Sequence, residues 1–204
     1  TDLGYPTQKV VVKPRLSNGM RGVRILTENG FTLQEYLQKK PDSMEIPLEL
    51  LLRYFEHEFP ELIVTEYLPG MEYTVDLFNS GSELVVVPRR RDQIRSGISF
   101  VTTVELSRTD IINYSTYLAR QIGLEYCFGF QFKEDSNGIP KILESNPRVQ
   151  GTMVASTHAG CNMVYYSVKM ALGMKIPSSF DLIDGLCFKR KWGGVSFNSE
   201  AHEV

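Results

Sequence analysis

The feature that most constrains the fold is a hairpin pattern in the segment Phe128 to Gly151. Asn137-Gly138 is a favoured two-residue hairpin turn, and runs of strand-forming residues lie on both sides of it. If this turn closes the hairpin, Gln131 and Glu144 lie opposite one another on paired strands. The segment therefore predicts two antiparallel strands with a defined register.

The polar face of this hairpin carries three oxygen-bearing side chains. Because side chains alternate along a strand, Gln131, Glu144 and Asn146 share one face, while the phenylalanines of the first arm face the core. One carboxylate and two carboxamides make an oxygen-only site of low charge, which suits Mg²⁺. Arg148, two residues further on, suits phosphate binding or charge stabilisation in phosphoryl transfer. The alternative is a half-exposed hairpin in which Glu144 and Arg148 are solvated.

The rest of the chain mixes strand and helix patterns without internal repeats. Strands are expected at 8–14, 23–26, 62–68, 72–78, 83–88, 98–105, 126–133, 141–145 and 185–191. Helices are expected at 33–39 behind Thr32, at 48–59, from the cap Ser107 through Gln121, and at 153–172. The runs between 62 and 105 suggest an antiparallel meander. The predicted class is α+β with mainly antiparallel sheets.

Composition narrows the function classes. With a net charge of -2, the 204 residues give no reason to expect a nucleic-acid or membrane partner. The three cysteines are odd in number and widely spaced, which disfavours a disulfide framework or a zinc site. We expect a cytoplasmic enzyme or binding protein, and a piece of a longer chain because the sequence opens with Thr1.

Leu143 to Gly151 resembles the E-x-N-P-R segment of the ATP-grasp superfamily, in the group related to the carbamoyl-phosphate synthetase large chain. Val10 to Val23 and Glu66 to Tyr73 resemble two other segments of that superfamily, in the expected order. The resemblance implies an ATP-grasp fold of two α+β subdomains with the nucleotide bound between them. It implies a small subdomain at 1–68 and a larger one at 69–204.

The resemblance also implies a set of nucleotide-binding residues. The lysine of the first strand is expected to reach the α- and β-phosphates, and the loop after it to lend backbone N–H groups. The hinge is expected to hydrogen-bond adenine, and the glutamate after it to accept from the ribose hydroxyls. The implied residues are Lys13, Ser17, Gly19, Gly22, Glu66, Tyr67, Leu68 and Glu72.

The same resemblance implies the metal-binding and catalytic positions. Gln131, Glu144 and Asn146 match metal-ligand positions for one or two Mg²⁺, with Mn²⁺ as an alternative; many family members have glutamate where Gln131 lies. Arg148 matches the arginine that faces the transferred phosphate, and it is the implied catalytic partner of Lys13.

An arginine run follows one of the predicted strands, in the region where related enzymes position substrate. Arg89, Arg91 and Arg95 are candidates for binding a phosphate or carboxylate. The carbamoyl-phosphate synthetase branch has a histidine where Arg95 falls. A solvated cationic turn is the alternative.

The implied activity is that of an ATP-dependent carboxylate–amine ligase. Such an enzyme phosphorylates a small carboxylate to an acyl-phosphate, which an amine or similar nucleophile then attacks. Family members usually carry a preceding α/β domain, which this sequence lacks. A catalytically incomplete nucleotide-binding fragment or sensor is therefore the alternative, and a homodimer is left open.

Overall fold

A computed structural model describes residues 2–16, 20–29, 32, 34, 37, 44–95 and 97–191. These residues form two compact units. The first comprises Thr1–Gly70 with Glu134–Ile139, and the second comprises Met71–Lys133 with Pro140–Val204. The sequence resemblance implies a single boundary between subdomains, after residue 68. Across the described ranges, no helix is long and apolar enough to span a membrane.

The first unit is built on a four-stranded sheet. Its strands are β1 (Val10–Pro14), β2 (Arg24–Thr27), β3 (Glu45–Pro47) and β4 (Leu62–Glu66), in the order β3-β2-β1-β4. β1 pairs antiparallel with β2 and β4, and β2 pairs parallel with β3. Valines of β1 and Leu51 of helix α1 (Leu48–Tyr54) share its core.

Two predicted helices of this region have different outcomes. Helix α1 is shorter than predicted, because it ends at Tyr54 rather than near residue 59. Apolar spacing in the sequence predicts that Leu51 and Leu52 share the buried face; Leu51 is buried, but Leu52 is 48% exposed. The predicted helix at 33–39 lies mostly outside the described residues.

The second unit is built on a six-stranded sheet in the order β10-β7-β6-β5-β8-β9. Its strands are β5 (Glu72–Asn79), β6 (Leu84–Arg95), β7 (Ile98–Val104), β8 (Tyr126–Glu134), β9 (Pro140–Asn146) and β10 (Cys187–Lys189). Phe128, Phe130 and Phe132 are almost fully buried, as predicted, in a core that also holds Ile111 of helix α2 (Thr109–Ile122). Mixed α and β elements with mainly antiparallel sheets confirm the α+β class.

Three expectations for this unit are wrong. β4 joins the first unit's sheet instead of starting the meander, which therefore begins at β5. Helix α2 begins at Thr109 without a side-chain cap, so Ser107 is not its cap. Apolar spacing in the sequence predicts that Tyr114 and Ile122 lie on the packed stripe of α2, but they are 48% and 50% exposed. That stripe runs instead through Ile111, Ser115 and Ala119.

The last predicted helix is two helices, α3 (Val154–His158) and α4 (Met163–Ala171). Gly160 lies between them with φ of 114°, and a Cβ there would lie 2.3 Å from the Asp181 carbonyl oxygen. Only glycine tolerates that conformation and that approach. The Asn162 side chain then accepts from the Tyr165 N–H at 3.0 Å and starts α4.

A buried ion pair joins β5 and β6 beneath the sheet surface. Asp76 accepts two hydrogen bonds from Arg89, at 2.7 and 3.0 Å, and both side chains are fully buried. Ser156 of α3 donates to the same carboxylate at 2.5 Å, and Gln150 donates to it at 3.3 Å. Because a buried charge needs a partner, this network ties the chain after β9 to the centre of the sheet.

We predict that Asp76→Ala lowers the free energy of unfolding by about 3–5 kcal/mol, since it leaves the Arg89 charge buried without its partner. The control is Asp110→Ala in the same unit, which breaks the Arg108–Asp110 pair, whose Asp110 side chain is 43% exposed. That change should cost less than about 1 kcal/mol. Urea unfolding measures both, and equal losses would contradict the structural role of the buried pair.

Candidate metal and phosphate site

The candidate site lies on one face of four neighbouring strands, β6-β5-β8-β9. Thr74 is paired with Arg89 on one side and with Gln131 on the other, so these three side chains share a face. Glu72, two residues before Thr74, also lies on that face. The strand pairing therefore brings the start of β5, the arginines of β6 and Gln131 of β8 together.

Arg91 is the centre of this face, and its side chain is only 5% exposed. Its Nε donates to Ser99 Oγ at 2.8 Å, its Nη2 donates to the Gly97 carbonyl at 2.6 Å, and its Nη1 donates to Glu72 Oε1. Nη1 also lies 3.1 Å from the Gln131 carboxamide. The protein thus fixes the Arg91 guanidinium from several sides.

A second set of contacts runs from Gln131 to Arg148. The carboxamide orientation that satisfies both neighbours of Gln131 turns its nitrogen to Glu144 Oε1 at 2.8 Å and its oxygen to Arg91. Asn146 Nδ2 donates to the same Glu144 oxygen at 2.7 Å, and Arg148 Nη2 donates to Asn146 Oδ1 at 3.0 Å. In this orientation the contacts form an arginine–amide–carboxylate–amide–arginine chain, in which each carboxamide links the carboxylate to one guanidinium.

The Gln131 carboxamide lies 2.8 Å from Glu144 Oε1, so the two side chains meet, but the two-residue turn that predicts them as direct partners is wrong. Gly138 N–H donates to the Asp135 carbonyl at 3.1 Å, and Asp135 N–H donates to the Ile139 carbonyl at 3.0 Å, with φ of 77° at Gly138. These bonds define a three-residue loop with a glycine bulge. The Asp135 carboxylate accepts from the N–H groups of Asn137 and Ile139, which stabilises this turn.

The three candidate substrate arginines have different surroundings. All three belong to β6, which extends to Arg95, so the alternative of a solvated cationic turn is wrong for these residues. Arg89 is fully buried against Asp76, and this ion pair removes its guanidinium from contact with any ligand. Arg91 lies at the site but is engaged by protein groups. Arg95 is exposed, with its guanidinium carbon 4.0 Å from the centroid of the Phe100 ring.

The predicted nucleotide residues of the first unit occupy β1, β4 and the segments after them. Lys13 lies in β1 opposite Ile63 of β4, and it is partly buried. Glu66 ends β4 and is exposed, whereas Leu68 is 6% exposed. Tyr67 lies with its ring centroid 5.9 Å from Lys9 Nζ. In the loop after β1, Gly22 has φ of 74°, and Ser17 and Gly19 lie outside the described residues.

Gln150 is a site-supporting residue that the sequence analysis missed. Its side chain is 7% exposed and donates to the Val75 carbonyl at 2.9 Å. A Cβ at Gly129 would lie 1.5 Å from Gln150 Nε2, so the glycine leaves the room that this carboxamide fills. The contact anchors the chain two residues after Arg148. A lone glycine within the phenylalanine-rich strand was the available signal.

The donor set of the site can be compared with the needs of a divalent cation. Within the part of the chain that the structure describes, no three His, Cys, Asp or Glu side chains are grouped closely enough to hold a metal. A cation site here has to use carboxamide oxygens. The carboxamide ends of Gln131 and Asn146 lie 2.8 and 2.7 Å from Glu144 Oε1, and carboxylate and carboxamide oxygens are the type of donor that Mg²⁺ takes. The residues therefore fit such a cation.

Thiol chemistry does not contribute to this site. Burial raises the pKa of the Cys161 thiol to about 12, so this group stays protonated and unreactive at neutral pH. Cys161 packs in an apolar cluster with Met163 and Phe78. It acts as a small core residue.

Solved structures of known enzymes resemble this fold. N5-carboxyaminoimidazole synthetase from Staphylococcus aureus, solved with ADP, has a TM-score of 0.64 and 16% identity, and the match covers 86% of this chain and 44% of that one. Biotin carboxylase from Campylobacter jejuni has a TM-score of 0.66 and 21% identity, with 89% and 40% covered. These likenesses establish the fold.

Curated relatives match at the level of sequence. The arginine-specific large chain of carbamoyl phosphate synthase from Bacillus subtilis (strain 168) is 26% identical over 187 residues, which is 86% of this chain. Its counterpart from Halalkalibacterium halodurans is 22% identical over 184 residues, 85% of this chain. The chain spans 16% of the length of each of these relatives.

A family model confirms the likeness seen in the sequence motifs. The model is described as ATP-grasp in the biosynthetic pathway with Ter operon, and it matches residues 58–188. This range contains β4 to β9 and the start of β10, so it includes every side chain of the contact series from Arg91 to Arg148. It covers more than half of the sequence, and the chain therefore belongs to the ATP-grasp family.

Proposed function

We propose that this chain binds Mg-ATP and transfers the γ-phosphoryl group to a small carboxylate. The product would be an acyl-phosphate, which an amine or similar nucleophile attacks with release of phosphate. The observation that carries the proposal is the cluster in which the Gln131 carboxamide lies 2.8 Å from Glu144 Oε1, Asn146 Nδ2 donates to the same oxygen, and Arg148 Nη2 donates to Asn146 Oδ1. Membership of the ATP-grasp family and the ADP bound to the Staphylococcus aureus enzyme support it.

Glu144, Asn146 and Gln131 are the proposed ligands of Mg²⁺ in the second unit. When bound, Mg²⁺ supplies positive charge that neutralises phosphate oxygens. Arg148 is exposed, so its guanidinium is open to contact a phosphoryl group and to stabilise charge that develops during transfer. Val149 and Asn146 accept hydrogen bonds from that guanidinium and hold it close to the proposed ligands.

The nucleotide contacts proposed for the remaining residues follow their chemistry. Lys13, within the segment 1–68, offers an ammonium group for the α- and β-phosphates, and the loop with Ser17, Gly19 and Gly22 offers backbone N–H groups. Glu66, Tyr67 and Leu68 are proposed to contact adenine. The Glu72 carboxylate is proposed to accept from ribose hydroxyls, and Arg91 orients that carboxylate.

The proposal predicts that Glu144→Gln abolishes the stabilisation by Mg-ATP. A ligand at about a hundred times its Kd stabilises by about 2.7 kcal/mol, which for a chain of this size raises Tm by roughly 5–10 °C. Thermal unfolding with ATP, with and without Mg²⁺, measures this rise. The control is Glu125→Gln, an exposed carboxylate outside the site, which should keep the full rise.

Unchanged Mg-ATP stabilisation in the Glu144 variant would contradict the metal site. Tight Mg-ATP binding without carboxylate-stimulated ADP release would instead favour the alternative of a nucleotide sensor or incomplete fragment. Lack of any nucleotide effect on the wild-type Tm would remove both functions.

A second prediction separates binding from chemistry. Arg148→Met should lower the rate of carboxylate-dependent ADP release by about 10²–10³-fold, because it removes a group that stabilises charge only during transfer. The Tm rise with Mg-ATP should remain within a few degrees of wild type. Arg148→Lys keeps the charge but loses the planar fork, so we expect an intermediate rate. A rate equal to wild type for the methionine variant would contradict the catalytic role.

A further inference from the structure

Strand β6 is paired along only part of its outer edge. β5 covers the inner edge of its first half, whereas β7 pairs with the outer edge only from Arg89 onward. The residue after β7 still donates its N–H to the Pro88 carbonyl at 3.0 Å. The next N–H, of Leu106, donates to the Asp184 carboxylate at 2.7 Å, so the chain leaves the sheet there. Within the described part of the chain, no strand pairs with the outer edge of residues 84–87.

The backbone groups that face this open edge follow from alternation along β6. Ser80 N–H donates to the Glu83 carbonyl at 2.9 Å, so the odd-numbered residues here bond to β5. The Pro88 carbonyl faces β7, which puts the N–H and C=O groups of Val86 and Leu84 on the same outer side. These groups repeat along the edge at an interval of about 6.8 Å, the length of two strand residues.

A cavity of about 320 Å³ lies beside the open edge. Residues 83–86 form one side of it, Ile112 and Thr116 of α2 form another, and residues 178–180 with Leu182 form the third. This volume is at the lower end of the range for ligand sites. Two of the lining serines, at 178 and 179, are exposed, so solvent reaches the cavity.

The walls of the cavity suit the two faces of a strand. Leu84 and Val86 pack with the apolar cluster that contains Ile111 of α2. Phe180 and Leu182 pack with the cluster on the opposite face of the sheet. A strand added at the edge directs alternate side chains to these two walls. The open stretch has room for about three or four such residues.

Glu83 supplies a charge at one end of the cavity. Among the described residues that line it, this partly buried carboxylate is the only ionised side chain, and no described basic group pairs with it. Its charge complement is an ammonium or guanidinium group. Glu83 comes just before β6, so a strand antiparallel to β6 brings its carboxyl-terminal end to this carboxylate.

We infer that the open edge of β6 binds a short extended peptide segment. The segment continues the line of β7, pairs antiparallel with Val86 and Leu84, and places a basic side chain beside Glu83. Another strand is the ligand that matches N–H and C=O groups repeated at alternate residues, and peptide-binding domains use this mode of strand addition. β-branched side chains suit the two apolar walls. The edge lies outside the metal and phosphate array, so the inference does not rest on the proposed function.

The test is amide hydrogen exchange of the full 204-residue chain, followed by NMR with the peptide acetyl-Val-Thr-Val-Lys-amide. At about 10 mM peptide and a Kd of about 1 mM, exchange at Val86 and Leu84 should slow about tenfold, because the bound strand takes up both N–H groups. Exchange at Val85, which faces β5, should not change.

Two methylated peptides provide the matched control for strand pairing. Each carries N-methyl groups at alternate amides, so that one loses the donors that face β6 and the other loses those that face away. Only the first should lose the protection. Equal binding of the two peptides would contradict the inference.

The charge is tested with a peptide that has glutamate in place of lysine, which should bind wild type about threefold more weakly. Glu83→Gln should remove this difference. Val86→Pro removes an N–H that faces no strand, so the fold should tolerate it, and it should weaken peptide binding about tenfold or more. The Tm rise with Mg-ATP should stay as in wild type.

Two results would overturn the inference. One is unchanged exchange at both Val86 and Leu84 at the highest peptide concentration. The other is a shift of the Ile112 and Phe180 signals without protection of Val86, which would indicate a pocket for side chains and not a strand site. If Val86→Pro does not fold, the methylated peptides on wild type decide the question.

Discussion

The fold of the second unit depends on the burial of two arginines of strand β6 in the middle of its sheet. Arg89 and Arg91 are both buried, and each has a carboxylate of β5 as its partner: Asp76 for the first and Glu72 for the second. Without these acids, two buried guanidinium charges would cost far more than the strand pairing returns. The β5–β6 pairing is therefore as much an electrostatic arrangement as a hydrogen-bonded one. The pairing of β5 with β6 therefore sets the positions of Gln131, Glu144 and the chain beyond β9.

The two ion pairs have different tasks. Asp76 and Arg89 are fully buried, and Ser156 and Gln150 attach the segment after β9 to them. Arg91 and Glu72 lie nearer the surface, where Arg91 also reaches Gln131. One pair thus fixes the backbone that carries Arg148, and the other sets the orientation of a side chain at the site. A rigid inner layer of this kind supports the side chains of a binding site and keeps them in position.

Local patterns predicted much of this arrangement, and long-range contacts account for what they missed. Alternation predicted that the phenylalanines of β8 lie in the core, because strand faces follow from sequence parity. The pairing of Gln131 with Glu144 was predicted through a two-residue turn, which the structure replaces with a three-residue loop. Alternation could not show that Arg89 is buried, since its partner is thirteen positions earlier in another strand. Nor could it show the break at Gly160, which depends on the approach of Asp181. The resemblance to the ATP-grasp superfamily identified the family, but not which arginines remain free to meet a ligand.

Charge balance links the array to the kind of ligand it can hold. Glu72 and Glu144 contribute two negative charges, and Arg91 and Arg148 contribute two positive charges, so the array is neutral as it stands. A neutral array has little attraction for a free anion, and its Glu144 oxygen already accepts from Asn146. Addition of a divalent cation makes the same groups net positive, which favours a phosphate of opposite charge. A glutamate at position 131 would add a standing negative charge and pair with Arg91 directly. The uncharged amide at this position keeps the array neutral in the absence of ligand.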